Sequence, residues 1–308
     1  MSSSKNTESE SLPSLRRIAN ALRKKSETDT QYLGHPEAFE SKRWKKWEEG
    51  KCMLVKDDEP NDPAIFWLVG QISREGFWLS ADGGWNRKLD KPFTSHHATA
   101  FLVRPPDESL GQLFDSALSS APRVEALGKE PEVSIGNHLV RSPRQIDSTC
   151  FKLKHRILVV PEVDDDAESQ SANTSQRTVY ERSEENGIVE ATWREMDKYW
   201  TLAKLPCRVH ARDELDILLR SNPFGYKWKL LEAYGQNGLP MAPNEYETLR
   251  GATVLCYMTI CRWEIKDKYS FSPHIAQLRI LSPVETVPVG ATLSIPKKRL
   301  GTSTMKEL

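Results

Sequence analysis

Apolar positions change their period several times along the chain, and each change predicts an element. In SLPSLRRIANALRKKSETD, Leu12, Leu15, Ile18, Ala19 and Leu22 recur at helical spacing, while Arg16, Arg17, Arg23, Lys24 and Lys25 fall largely off that stripe. This predicts a short basic amphipathic helix. HPEAFESKRWKKWEEGK predicts a second helix, with Pro36 near its start, Gly50 as its stop and Phe39, Arg43 and Trp47 along one side. From Cys52 the runs CMLV, IFWLVGQI, GFWLS and ATAFLV are short, β-branched or aromatic and punctuated by glycine and proline, so they predict a small twisted antiparallel sheet. IFWLVGQI and GFWLSADGGW flank the tripeptide SRE, the spacing of a hairpin.

SLGQLFDSALSS then carries Leu110, Leu113, Phe114, Ala117 and Leu118 on one helical face and is expected to stop at Pro122. CFKLKHRILVV alternates at first and becomes wholly apolar, as a strand entering a core does. PEVDDDAESQSANTSQRTVYERSEENG has almost no large apolar residue to offset its ordering entropy, which predicts a linker or long exposed loop. After it come a strand candidate YWTLAKLPCRVHA, helices DELDILLRS and PFGYKWKLLEAYG, and strands ATVLCYMTICRWEI and HIAQLRIL. In the second of those helices Asn222 supplies the cap, Pro223 the first position, and Gly235 the stop.

The expected fold class is α+β, with N-terminal basic helices and a small antiparallel sheet, then a second α+β domain after an acidic linker. The expected boundaries are a disordered tail and basic amphipathic helix over 1–30, an α+β domain with an aromatic-rich sheet over 31–160, the linker or loop over 161–187, a C-terminal α+β domain over 188–290 and a basic polar tail over 291–308.

Composition narrows the function classes. The chain has 43 basic and 43 acidic side chains in 308 residues, so any electrostatic function must come from local clustering. Cys52, Cys150, Cys207, Cys256 and Cys261 are odd in number and set among apolar neighbours, which suits buried thiols in a reducing, intracellular compartment. The start MSSSKNTESESLPSL lacks the apolar run of a secretory signal. The longest apolar run, ATVLCYMTICRW, has about 12 residues against the roughly 20 that span a bilayer, and reads as a buried strand.

Catalytic signatures are missing: there is no G-x-S-x-G, H-E-x-x-H, phosphate-cradling G-x-x-x-x-G-K-[ST] or G-x-G-x-x-G. No catalytic, cofactor-binding or metal-ligating residue is expected, and no cofactor. His96 and His97 are adjacent, so on a strand they point to opposite faces. Cys256 and Cys261 have no second pair at zinc spacing, and Asp164, Asp165 and Asp166 read as solvated linker.

Binding remains. Positive charge gathers in three blocks: Arg16, Arg17, Arg23, Lys24 and Lys25; Lys42, Arg43, Lys45 and Lys46; and Lys297, Lys298 and Arg299. Such crowding attracts phosphate, from nucleic acid or from anionic lipid, unless the block is merely a solvated face. Trp67, Phe77, Trp78 and Trp85 form the candidate aromatic surface, of the kind that stacks bases, with core packing as the plainer alternative. Because Phe66–Trp67 and Phe77–Trp78 are adjacent pairs, one ring of each must meet something other than the inner core.

The order KYWTLAKLPCRV, RDELDILLRS, YKWKLLEAYG and RGATVLCYMTI, about residues 196–265, resembles the globular part of rhabdovirus-type matrix proteins. In those, an aromatic-rich strand precedes a helix, a YK-x-L helix ending at glycine and a later strand. The resemblance implies a non-enzymatic virion structural protein that bridges a ribonucleoprotein to the inner membrane surface through basic N-terminal residues. Its partners would be an anionic membrane surface and nucleoprotein, and its place the virion and the host membrane periphery. No PPxY or PTAP motif accompanies it, although Tyr246-Glu247-Thr248-Leu249 matches a loose Y-x-x-L budding pattern. The alternative is an intracellular adaptor that binds RNA, DNA or protein through the aromatic-rich sheet and the basic segments. Self-association is open in either case.

Overall fold

The computed structural model describes residues 14–89, 91–128, 132–144, 146, 148–160, 185–222 and 225–283, with side chains of the 185–191 stretch left aside. The expected N-terminal tail, the linker as far as residue 184 with Asp164, Asp165 and Asp166, and the C-terminal block of Lys297, Lys298 and Arg299 lie outside the described residues. The fold is α+β.

Helix α1 (Leu15–Ser26) forms where the apolar stripe predicts it. Ala19 is buried, Leu15, Ile18 and Leu22 pack against the core, and the five basic residues stay exposed. The second expected helix does not form. Lys42–Glu48 is strand β1, paired antiparallel with β2 (Lys51–Lys56). Ser41 at φ 54 interrupts any helix, and Gly50 at φ 68 reverses the chain between the two strands. Three residues at spacings of four had mimicked a helix; the pairing of Trp44 with Leu54, which sets the Trp44 ring 5.8 Å from Phe271, decides for a strand.

The expected hairpin is also replaced. After β3 (Ile65–Ile72) the chain does not turn back: Ser73 donates to the Phe101 carbonyl and Trp78 exchanges both backbone bonds with Thr99 of β4 (His97–Val103). Residues 73–80 therefore continue the line of β3 along β4 after an outward bulge, and the reversal comes in 81–96. There Gly83 and Gly84 both take positive φ, 58 and 73, and a Cβ on Gly83 would meet the Ala98 backbone at 3.0 Å. Helix α2 (Glu108–Ala126) starts at Asp107, whose carboxylate accepts from the Leu110 amide, and runs through Pro122 instead of ending there. A proline inside a helix costs about 3 kcal/mol. Burial of Ala121 and Val124 beside Leu113, Phe114 and Ala117 offsets it.

The remaining elements are β5 (Ser134–Asn137), β6 (Val140–Arg141), β7 (Cys150–Arg156), β8 (Leu158–Val159), α3 (Glu185–Tyr199), α4 (Val209–Ser221), β9 (Lys227–Trp228), β10 (Ala233–Tyr234), β11 (Thr253–Ile265) and β12 (Lys268–Ser282). YWTLAKLPCRVHA makes no strand; its centre is a 3-10 turn at Leu202–Lys204. PFGYKWKLLEAYG makes no helix. As extended chain it pairs Trp228 with Leu158 and Ala233 with Leu278, closing the opening between the end of β7 and β12 and satisfying backbone groups a helix would leave unpaired. Pro223 and Phe224 lie outside the described residues. Two of the four elements behind the matrix resemblance thus differ from its pattern. The Y-x-x-L stretch lies in a 3-10 turn with Tyr246 and Leu249 buried and the Tyr246 hydroxyl donating to the Leu231 carbonyl.

Five strands close into a ring in the order β3, β4, β7, β12, β11 and back to β3. Every junction is antiparallel except β7 with β12, joined through the register pair Lys154 and His274. Numbered along the chain this is the order 1-2-3-5-4, the plan of a partly open Greek-key barrel of the OB type. The expected separation into a 31–160 and a 188–290 domain does not describe this sheet: β11 lies between β2 and β3, and β12 against β7. Inward residues, among them Phe66, Leu68, Ala100, Leu153, Met258 and Leu278, are fully buried, and α2 lays Phe114 edge-on to Phe151.

The β11–β12 reversal is a two-residue turn with Lys266 at φ 50 and Asp267 at φ 58, a left-handed pair that glycine suits better. Asp267→Gly is expected to stabilise the protein by about 1 kcal/mol, seen as a higher denaturant midpoint at unchanged slope. A lower midpoint would mean that the Asp267 side chain itself holds the turn.

Candidate functional site

Period-two alternation on β7 buries Phe151 and Leu153 and turns Lys152, Lys154 and Arg156 outward. Register carries that outer face across the sheet. Lys152 lies opposite Phe101, Lys154 opposite Thr99 and Arg156 opposite His97 on β4; His274 lies opposite Lys154 on β12 and Thr259 opposite His274 on β11. Trp78, paired with Thr99, extends the row. Trp78, Thr99, Lys154, His274 and Thr259 thus form one line across the outer face, about 19 Å long at four strand spacings of about 4.8 Å.

Cations gather around this line, on β7 and the segments beside it, and carboxylates do not answer them. Among the described residues Lys152, Lys154, Arg156, Arg141 and Lys229 make no ion pair. Loss of hydration, reinforced by Arg141 and Lys152, lowers the Lys154 ammonium to about 8. Lys152 is pushed down by loss of hydration and by Arg141 and Lys91, and Lys229 by loss of hydration against the opposing pull of Glu232. His97 falls to about 4 through burial and the charge of Lys154, and His274, its ring centroid 5.7 Å from that of His97, lies well below the ordinary range for burial first and then its cationic neighbours. Both imidazoles are therefore neutral at pH 7.

Hydrogen bonds hold both rings, and for His97 they fix the tautomer. His97 Nδ1–H donates to the Ser95 carbonyl at 3.1 Å. Trp263 Nε1–H donates to Ser272 Oγ at 3.3 Å, and Ser272 Oγ in turn shares a hydrogen bond of 3.2 Å with His274 Nε2. Aromatic and cationic groups alternate over the same face: Lys152 sits 5.7 Å from the Phe101 ring, Lys51 5.5 Å from Trp263 and Arg208 5.7 Å from Trp78.

A buried acid holds the Trp78 end in place. Asp82, 1% exposed, accepts from the Arg208 amide and Nε at 3.0 Å each, from the Gly84 amide at 3.0 Å and from Ser80 Oγ at 2.8 Å. Burial alone would raise its pKa, but these donors, Arg208 first, hold it below the usual carboxylate range. The loop carrying Trp78 is thereby tied to the start of α4.

Of the candidate aromatic surface, only Trp78 is exposed, at 47%. Trp67, Phe77 and Trp85 are buried: Trp67 donates from Nε1 to Asp29 and stacks near Tyr32, Phe77 lies under Arg250, and Trp85 meets Phe93 edge-on. One ring of the Phe66–Trp67 pair does meet something other than the inner core, namely the 29–32 segment. The basic blocks divide. Arg43 and Lys45 register with Val55 and Met53 on the outer face, where Met53 continues through Cys261 to Ser272, whereas Lys42 and Lys46 fall on the opposite face. Arg16, Arg17, Arg23, Lys24 and Lys25 stay together on α1, away from this row. Their neighbour is a groove of about 580 Å³ between α1 and α2, lined by Arg23, Tyr32, His35 and Gln112 among others.

Sequence reading missed Lys152, Lys154, Arg156, His97 and His274 as a group. The signal for half of it was present: in KLKHR every second residue is basic, which on a strand means one face. Nothing local links that run to His274, some 120 residues later. Among the described residues no three His, Cys, Asp or Glu are placed to hold a metal ion, and no helix is long and apolar enough to cross a membrane. Comparison with protein-family models, with curated proteins and with solved structures returned no match.

Because the unfolded chain holds the Lys154 proton up to about pH 10.4 and the folded chain releases it near 8, stability should rise with pH across that interval. Lys154→Met is expected to make this rise shallower, leaving the part due to Lys152 and Lys229, and to stabilise the protein at pH 7 by about 1 kcal/mol. Destabilisation in denaturant melts at pH 7 would instead show that Lys154 is a structural group.

Proposed function

We propose that this chain is a non-enzymatic binding protein whose outer barrel face takes single-stranded nucleic acid. The observation that carries the reading is the group of outward cations Lys152, Lys154 and Arg156 without carboxylate partners, on the same face as Trp78 and Trp263. Burying positive charge without a counter-charge is costly, and a phosphate backbone laid along the row supplies that charge. Rings beside the cations offer stacking for bases, an arrangement tolerant of sequence. Outer faces of OB-type barrels often take oligonucleotides or oligosaccharides, which raises the prior but assigns nothing by itself. A line of about 19 Å suits a short site of roughly four nucleotides.

A second surface has its own support. All five basic residues of α1 are exposed, while its apolar stripe is turned into the core. Contact of this helix with an anionic membrane would therefore be electrostatic and without insertion, and screened by salt. A bridge between nucleoprotein and membrane, the role implied by the matrix resemblance, would use both surfaces at once.

Fluorescence anisotropy with a labelled 12-nucleotide oligothymidylate across a salt series tests the first surface. Affinity is expected to fall steeply with salt, and Lys152→Ala with Lys154→Ala to reduce the logarithmic slope by about one unit per lysine. Absence of any salt-dependent binding would end the nucleic-acid reading. Flotation with phosphatidylserine vesicles tests the second, with Arg16, Arg17, Arg23, Lys24 and Lys25 changed to glutamine expected to abolish it.

A further inference from the structure

Resting on the nucleic-acid reading of the outer face, we infer that Lys154, His274 and His97 at the barrel seam seat one phosphate group, and that seating it draws protons onto the two imidazoles. The three side chains come from three different strands. Lys154 and His274 are the register pair joining β7 to β12, Thr99 lies beside Lys154, and His97 meets His274 edge-on with ring centroids 5.7 Å apart. His97 Nε2 and His274 Nδ1 have no hydrogen-bond partner within the chain. Since no buried polar side-chain atom of the described residues lacks a partner, both nitrogens reach solvent. A tetrahedral oxyanion can answer an ammonium and two imidazolium donors at once, whereas a carboxylate offers only two oxygens.

The surroundings explain the proton coupling. Lys154 and Arg156 act on the imidazoles from β7, where the buried His155 also senses His97, with Lys51 acting from β2 and Lys229 from just after β9. Cys261 and Thr259 approach from β11, Ser272 from β12 itself, and Lys91, His96 and Arg141 from the loops and short strand alongside. The carboxylates of this neighbourhood are Glu48, 3.0 Å from Lys51, and Glu232, whose charge acts on Lys229. With cations on nearly every side, the empty seat keeps both rings neutral. A phosphate reverses the local potential, so each ring gains a reason to hold a second proton, and by reciprocity acid must tighten binding.

The experiment has two arms on the full-length protein. In the first, anisotropy with the 12-nucleotide oligothymidylate at fixed salt should show affinity rising about tenfold from pH 7.5 to 5.5, the linkage of about half a proton taken up on average across that interval. The double variant H97Q/H274Q should lose the pH dependence, its affinity at pH 5.5 staying within about twofold of its own value at pH 7.5. In the second, proton NMR follows the two imidazole titrations of the wild type with and without inorganic phosphate, and phosphate should move both upward. Binding that is indifferent to pH, tightening that survives in the double variant, or imidazoles unmoved by either ligand would each overturn the seat. If the oligonucleotide never binds but inorganic phosphate still raises both titrations, the nucleic-acid reading falls and the phosphate seat stands.

Discussion

The long hairpin of β11 and β12 is the constraint on which the rest depends. Its two strands, 13 and 15 residues, pair with each other over almost their full length. Their free edges then recruit β2 and β3 on one side and β5, β7 and β10 on the other. An apolar inner face makes that recruitment favourable, since Val254, Cys256, Met258, Ile260, Phe271 and Leu278 are all buried at once. Strands β2 and β3 pair early with β1 and β4, but each keeps its other edge unpaired until this hairpin arrives. The barrel is thus a non-local structure, in which the last elements made are the ones that complete the first.

The same hairpin makes the outer face. A barrel strand that turns apolar side chains inward must turn every alternate residue out, so the pattern that buries Leu153 also presents Lys152 and Lys154. Crowding them with Arg141 and Arg156 while neutral imidazoles fill the gaps leaves positive charge short of water and short of carboxylates. Such an arrangement works against the stability of the free fold. Its persistence at the seam, where β7 and β12 meet through Lys154 and His274, is the physical ground for reading it as a place for an anion.

Several elements were legible in the sequence because their cause is local. Helix α1 follows from its stripe, α2 from its own, and β7, β11 and β12 from β-branched and aromatic runs too apolar to be anything but core. Errors fell where short-range pattern was ambiguous and pairing decided. KRWKKW reads equally as one helical side or as an edge strand, and β2 chose the strand. KWKLLEAY has helical spacing and a good stop at Gly235, yet the opening beside β12 needed extended backbone. Trp67 and Phe77 look like surface aromatics in a run of alternating rings, but the 29–32 segment and Arg250 cover them, and neither cover is near in sequence.

By itself the sequence determined the α+β class, the amphipathic basic helix, the strands of the late hairpin and the period-two row of cations on β7. Each is encoded in residues a few positions apart, where spacing alone sets which side chains share a face. Tertiary structure alone decided that the strands form one ring and not two domains, that Trp78 is the aromatic left exposed, and that His97 and His274 stand beside Lys154. Those outcomes depend on which edges find each other across more than a hundred residues. Backbone pairing is chemically alike for every strand, so no local stretch records its partner.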